Sequence, residues 1–169
     1  RKLMIQATPI CNMNCSYCYI PEENRQQKGR ISDETLTAIY EKILTSFLIS
    51  KDLTILWHAG EPLMLPVSFY EQVFNDVNKY KQVGQTITQC IQSNATLIND
   101  QWCELFNAYN VYLGISVDGP KFLHDRFRRY WSGKPTHDLI SKNLKLLNHY
   151  DVPYYGLCTL TNESLDYPD

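Results

Sequence analysis

No stretch of 18 apolar residues occurs in this sequence, and its longest apolar runs are short and broken by polar residues. A membrane-spanning helix and a signal-peptide core are both excluded on length, which leaves the cytosol as the default compartment. An excess of either charge is missing too, since 16 Lys and Arg stand against 18 Asp and Glu. Without a broad basic field, bulk nucleic-acid binding is a poor reading. An initiator Met is also absent. The chain starts at Arg1 and runs out in a loop-like Asp-Tyr-Pro-Asp, so it reads as a piece of something longer. What is present, 169 residues of which 44% are apolar and 20% charged, suits one globular domain or a large part of one.

Six cysteines in a chain with no secretory segment read as thiolates for metal or catalysis rather than as a disulfide framework. Cys90, Cys103 and Cys158 stand alone among apolar neighbours and read as small buried hydrophobes. Cys11, Cys15 and Cys18 crowd into eight residues of an otherwise polar loop and need a chemical explanation.

Short extended runs alternate with stretches of helical period, the pattern of βα units around a parallel sheet. Strands are expected at 3–7, 53–58, 86–93, 111–117 and 154–160, rich in Ile, Val, Leu, Thr and Tyr. A helix capped by Ser32 should present Leu36, Ile39, Ile43 and Phe47 on one face. A second, opened by Pro66 and stopped by Gly84, should carry Phe69, Tyr70, Val73, Val77 and Tyr80. Trp102, Leu105, Phe106 and Tyr109 mark a third, started by Asn99 or Asp100, and Ile140, Leu144 and Leu147 a fourth. Periodicity does not choose between a doubly wound sheet and part of a (β/α) barrel. In both, chemistry sits at the carboxyl ends of the strands.

The residues just after the strands are the unusual ones. After the first comes Cys11-Asn-Met-Asn-Cys15-Ser-Tyr-Cys18, a C-x3-C-x2-C loop. Three thiolates on one short loop suit three corners of a cubane iron-sulfur cluster and leave the fourth iron open for a substrate or cofactor. A structural zinc site would need a fourth ligand, and no second CxxC or HxxxH follows. After the second strand stands Trp57-His58-Ala59-Gly60-Glu61-Pro62, where small residues allow close backbone approach to a ligand and the Glu61 carboxylate or nearby carbonyls can accept from an ammonium. After the third comes Gln92-Ser93-Asn94-Ala95-Thr96-Leu97. The fourth runs into Gly114-Ile115-Ser116-Val117-Asp118-Gly119-Pro120, followed by His124-Asp125-Arg126-Phe127-Arg128-Arg129. Taken alone, these arginines read as a solvated helix face.

The cysteine loop, with aromatic Tyr17 just before its third cysteine, resembles the defining motif of radical S-adenosylmethionine (SAM) enzymes. The segment around Gly60 and Glu61 resembles that family's Gly-Gly-Glu-Pro, with Ala59 in place of the first glycine. Residues 92–97 resemble the Gln-Thr-Asn-Gly-Thr-Leu of peptide-modifying members, with Ser93 and Ala95 as departures. The resemblance covers the whole chain and is closer to the radical SAM peptide maturases that carry a C-terminal SPASM domain. Within these, Trp57 to Leu63, Leu65-Pro66, Phe69-Tyr70 and 115–120 with Leu123-His124-Asp125 are most similar to the cyclophane-forming maturases of glycine-rich precursor peptides. Anaerobic sulfatase-maturating enzymes, which form formylglycine, are the nearest relatives of that group.

The resemblance implies an α/β fold, a partial (β/α)6 barrel with five strands present and the sixth missing, so residues 1–169 would be the N-terminal part of the core domain. An open sheet edge and bare hydrophobic surface should follow. It implies a [4Fe-4S] cluster on Cys11, Cys15 and Cys18, and SAM held by Tyr17, Gly60, Glu61, Ser116 and Arg128. One electron from an external donor, passed through the cluster, would split SAM into methionine and a 5′-deoxyadenosyl radical. The radical would remove a side-chain hydrogen from a precursor peptide, the carbon radical would join an aromatic ring, and the last electron would leave to an auxiliary cluster. Sulfatase-type formylglycine formation is the alternative chemistry. A metal protein used for structure or electron storage is the alternative from another class, and it would need only the cysteines.

Overall fold

The computed structural model describes residues 1–47, 49 and 51–167. Five strands, β1 (Lys2–Ile5), β2 (Asp52–Trp57), β3 (Thr86–Ser93), β4 (Tyr112–Ser116) and β5 (Tyr154–Leu157), form one sheet in the order β1-β2-β3-β4-β5. Every neighbouring pair is parallel. Each strand is laid beside its predecessor, always on the same side. That is the winding of a barrel wall; a doubly wound sheet would reverse direction partway.

Six helices connect or flank the strands: α1 (Glu22–Arg25), α2 (Asp33–Leu44), α3 (Val67–Tyr80), α4 (Asp100–Ala108), α5 (Lys121–Phe127) and α6 (His137–His149). Ser32 caps α2 by accepting from the Thr35 N–H at 3.1 Å, and Asn99 rather than Asp100 caps α4, accepting from Trp102 at 3.1 Å. The face α2 buries is Leu36, Tyr40 and Leu44, with Ile39 and Ile43 beside it. Phe47 does not belong to it. The helix ends at Leu44, and Phe47, 95% exposed, stands clear of the core. The stripe of α3 is as expected, with Phe74 added and Tyr80 only half-buried at its end. Short helices α1 and α5 carry too few turns for periodicity to reveal them.

Leu53, Ile55, Trp57, Ile91, Leu113 and Ile115 face the helices and are buried. Trp57 anchors this layer, edge-on to Tyr70 at 5.6 Å, its indole N–H donating to Gln89 at 2.9 Å. The other face is lined by rows that register aligns, Met4 beside Leu56, Cys90 and Tyr112, then Gln92 beside Gly114 and Tyr155. Here Met4, Tyr112, Tyr155 and Leu157 are exposed, the bare apolar surface expected of a barrel wall seen from inside. Of the three lone cysteines only Cys103 is fully buried. Cys90 is half-buried because it points to the open face, and Cys158 is exposed because β5 has ended before it. No helix among the described residues is long and apolar enough to cross a membrane.

Candidate active site at the strand ends

The cysteine loop has no regular structure of its own, and distant segments give it shape. Cys11 N–H donates to the Arg25 carbonyl at 2.9 Å, Asn14 N–H to Arg129 at 2.8 Å, and Ser16 N–H to Phe127 at 3.0 Å. Met13, fully buried, bridges antiparallel to Tyr130. From the β3 exit, Asn94 donates to the Asn12 amide oxygen at 2.9 Å, and Asn12 in turn donates to Thr96 at 2.8 Å. Burial pushes the Cys11 thiol up to about 12 and raises Cys15 as well, the latter opposed by the Arg128 charge. Burial thus favours the thiol form of both, and a metal held there would have to displace their protons.

Gly60 lies in the left-handed region at φ 61°, and a Cβ there would stand 2.4 Å from the Thr8 carbonyl and 2.8 Å from that of Ile10. The close approach is backbone against backbone, the β2 exit against the segment that joins β1 to the cysteine loop. The neighbouring Glu61 N–H donates to Ile10 at 2.8 Å. The alanines at the two departures from the family pattern keep the glycine conformation, Ala59 at φ 72° and Ala95 at φ 61°, at a cost of roughly 1 to 2 kcal/mol each.

Glu61 is 1% exposed. One carboxylate oxygen accepts from the Leu63 N–H at 3.0 Å and the Ser93 hydroxyl at 2.8 Å, the other from the Asn94 N–H at 2.8 Å. Burial raises its carboxyl, and these donors oppose the rise. These three protein donors fasten the β2 exit to the β3 exit through the carboxylate, which also lines the cavity.

At the β4 exit, Gln92 donates to the Ser116 hydroxyl at 3.0 Å, and Gly114 leaves room for that amide: a Cβ there would lie 2.1 Å from its oxygen. Tyr17 donates a short hydrogen bond to Asp118 and accepts one from Arg128 at 2.8 Å. The other Asp118 oxygen accepts from the Thr159 N–H at 3.1 Å, after β5. Arg128 follows α5 directly and turns inward; it is 7% exposed, with its Nε–H buried and unpartnered among the described residues. The solvated-face reading holds for Arg126, paired with Glu163 at 2.7 Å, and fails for Arg128.

Behind this network His124 is fully buried. Its Nδ1 accepts from the Asp118 N–H at 3.2 Å, so Nε2 carries the hydrogen and donates to Thr136 at 3.1 Å, whose hydroxyl donates to the Arg128 carbonyl at 2.7 Å. Burial and the Arg128 charge depress its pKa from 6.5 to about 4. Because the folded value lies below the unfolded one, the neutral ring's contribution is complete above about pH 6.5 and is lost as pH falls toward 4, up to about 3 kcal/mol in all. His124→Gln should flatten that loss. Thermal denaturation midpoints of parent and variant, compared between pH 7 and 4.5, check it, and parallel curves would disprove it.

Cys11, Cys15, Cys18, Tyr17, Gly60, Glu61, Ser116 and Arg128 all line one cavity of about 290 Å³ at the carboxyl ends of the strands. His58, Gln92, Asn94 and Thr159 line it too. Cys90, Cys103 and Cys158 do not. Among the described residues no three His, Cys, Asp or Glu side chains gather tightly enough for a single metal ion. A cubane instead spreads its thiolates over three corners. The donor set fits such a cluster: three thiols on one cavity wall, next to a buried guanidinium N–H that lacks a protein acceptor. Sequence reasoning missed Asp118 and His124 as organisers, and it missed Arg25 and Trp131 altogether. Asp118 and His124 stood inside a recognised motif; nothing local marked the other two.

A protein of Synechocystis sp. is 38% identical over 99% of this chain and 42% of its own length. A serine-type anaerobic sulfatase-maturating enzyme of Bacteroides thetaiotaomicron is 35% identical over 94% of this chain and 39% of its own. The solved structure of anSMEcpe with AdoMet and a peptide bound superposes with a TM-score of 0.88 at 25% identity, covering 98% of this chain and 45% of that one. The chain thus spans less than half the length of these relatives. The radical SAM superfamily pattern matches residues 5–169, and the chain belongs to that family of enzymes, whose members pair a 4Fe-4S cluster with SAM.

Proposed function

We propose that this chain is the cofactor-binding part of a radical SAM enzyme that modifies a side chain of a peptide. Cys11, Cys15 and Cys18 hold the cluster, and SAM is held by Tyr17, Gly60, Glu61, Ser116 and Arg128. The observation that carries this reading is that all eight residues line one cavity at the strand ends. A structural metal site would call on the cysteines alone.

When bound, the cluster and SAM together supply one-electron cleavage of a sulfonium bond, and so a carbon radical able to take hydrogen from a substrate. The chain's own part is to bind, orient and exclude water. Arg128 offers a planar fork with a free N–H, suited to a carboxylate. Ser116 is aimed by Gln92. Glu61 holds two loops together, and its carboxylate or the backbone carbonyls beside it would accept from an ammonium. The rest of the parent would supply the sixth strand and a SPASM domain, and an external donor the electron.

Arg128→Ala in the full-length protein should weaken SAM binding about 10- to 150-fold with iron content unchanged, since a hydrogen bond to a charged group contributes roughly 1.5 to 3 kcal/mol. Calorimetric titration of SAM checks it, and unchanged affinity would remove Arg128 from the site.

Two chemistries fit the peptide. The sulfatase-maturating relatives support oxidation of a serine or cysteine to formylglycine. The motifs around Gly60 and Ser116 support cyclophane formation. The reduced full-length protein, given SAM and candidate peptides, should produce 5′-deoxyadenosine and a modified peptide. A product captured by a hydrazide probe is the aldehyde; one that has lost two hydrogens, ignores the probe and resists fragmentation between two residues is the crosslink. No SAM consumption with any reductant would overturn the enzyme reading.

A further inference from the structure

Arg128 is not the only buried cation at the cysteine loop. Arg25, the last residue of α1, is 4% exposed, and among the described residues it forms none of the ion pairs and its buried Nε–H has no partner. Its backbone carbonyl accepts from Cys11 N–H at 2.9 Å, while its guanidinium reaches the Met13 carbonyl at 3.4 Å. The guanidinium lies 5.2 Å from the ring centroid of Trp131, and the Trp131 indole donates to the Cys11 carbonyl at 2.9 Å. Arg25 and Trp131 therefore clamp the first turn of the loop from outside the cavity.

A buried guanidinium without a counter-charge is expensive, and breaking such a pair costs far more than an exposed one. What the loop can offer as counter-charge is its thiolates and whatever they hold. The Arg25 guanidinium reaches the backbone of Met13, which lies between Cys11 and Cys15. A cubane on three thiolates is an anion, and reduction makes it more negative by one electron. A fixed cation in a low-dielectric setting then stabilises the reduced form more than the oxidised one.

We propose that Arg25, held by Trp131, is a positioning residue of the cysteine loop that also raises the reduction potential of the cluster bound there. The proposal rests on the cluster assignment above. Neither Arg25 nor Trp131 lines the cavity, so both act through the loop.

The test uses the full-length protein, reconstituted anaerobically, with Arg25→Gln, Arg25→Lys and Trp131→Phe. Iron and sulfide are measured, and the electron paramagnetic resonance signal that changes on SAM addition is followed in a redox titration. Arg25→Gln should load iron yet show a reduced-to-oxidised ratio about tenfold lower at the parent's midpoint, a shift of about 59 mV downward for one electron. Arg25→Lys and Trp131→Phe, which keep the charge, should stay within about threefold of the parent. An iron-loaded Arg25→Gln with the parent's midpoint overturns the proposal. If Arg25→Gln fails to load, Arg25→Lys decides: the parent's midpoint supports the proposal, and a tenfold loss or a second failure to load overturns it. A parent that binds no iron overturns the cluster reading instead.

Discussion

Cys15→Ser in the full-length protein is expected to abolish SAM cleavage and to remove roughly four irons per polypeptide, one cubane's worth. Serine is nearly isosteric with cysteine, but its hydroxyl does not ionise in the range where a thiol does, and its oxygen is a poor partner for iron. The loop should survive the change, because its shape comes from backbone bonds to Arg25, Phe127 and Arg129. Loss of iron would then report on the ligand and not on unfolding. Ser substitutions at Cys90, Cys103 and Cys158, which lie outside the cavity lining, should leave iron and 5′-deoxyadenosine formation at the parent's level. Iron assay and chromatography of the nucleoside product are the measurements. A Cys15→Ser protein that keeps its SAM-responsive cluster, or a parent that takes up one zinc and no iron, would sink the assignment.

Glu61→Ala should have the largest effect on stability. The substitution leaves the Leu63 and Asn94 N–H groups and the Ser93 hydroxyl buried without their acceptor. At about 1 to 3 kcal/mol for each orphaned group, the loss is about 3 kcal/mol or more. For a chain of this size that lowers the melting midpoint by about 6 to 12 °C. Glu61→Gln keeps one oxygen but turns an NH2 toward a donor, so it should fall between the two. Calorimetry of the three proteins checks the order, and an alanine variant within 1 °C of the parent would show that the carboxylate is not the fastener described here.

Much of the scaffold was legible because it is written in periodic runs. The residues of β3 alternate long enough to show both ends, and the Ser32 and Asn99 caps are chemical signals as well as positional ones. Phe47 misled because it continues the spacing of α2 past the residue where the helix stops. The cysteine loop stood out by composition. Arg128 is different: among three closely spaced arginines only tertiary structure turns one inward, at the point where α5 ends. Only the family pattern singled it out from sequence. Glu61 was noticed for its charge, but two of its three donors, Ser93 and Asn94, arrive from the β3 exit, which no local window contains. Arg25 sits on a single helical turn and meets Trp131 across 106 positions, a pairing of which neither segment carries a trace.

The cysteine loop lies at positions 11–18, yet the groups that shape it come from positions 25, 61, 94, 127, 129 and 131. During synthesis, therefore, the three thiols leave the ribosome long before their surroundings exist. The loop acquires its form only when four strands have paired and the segment after α5 has closed over it. Contacts of such sequence separation are slow to make. Insertion of a cluster there would then follow folding of most of the wall, and an iron donor that arrived early would meet three thiols on an unshaped eight-residue segment rather than a site.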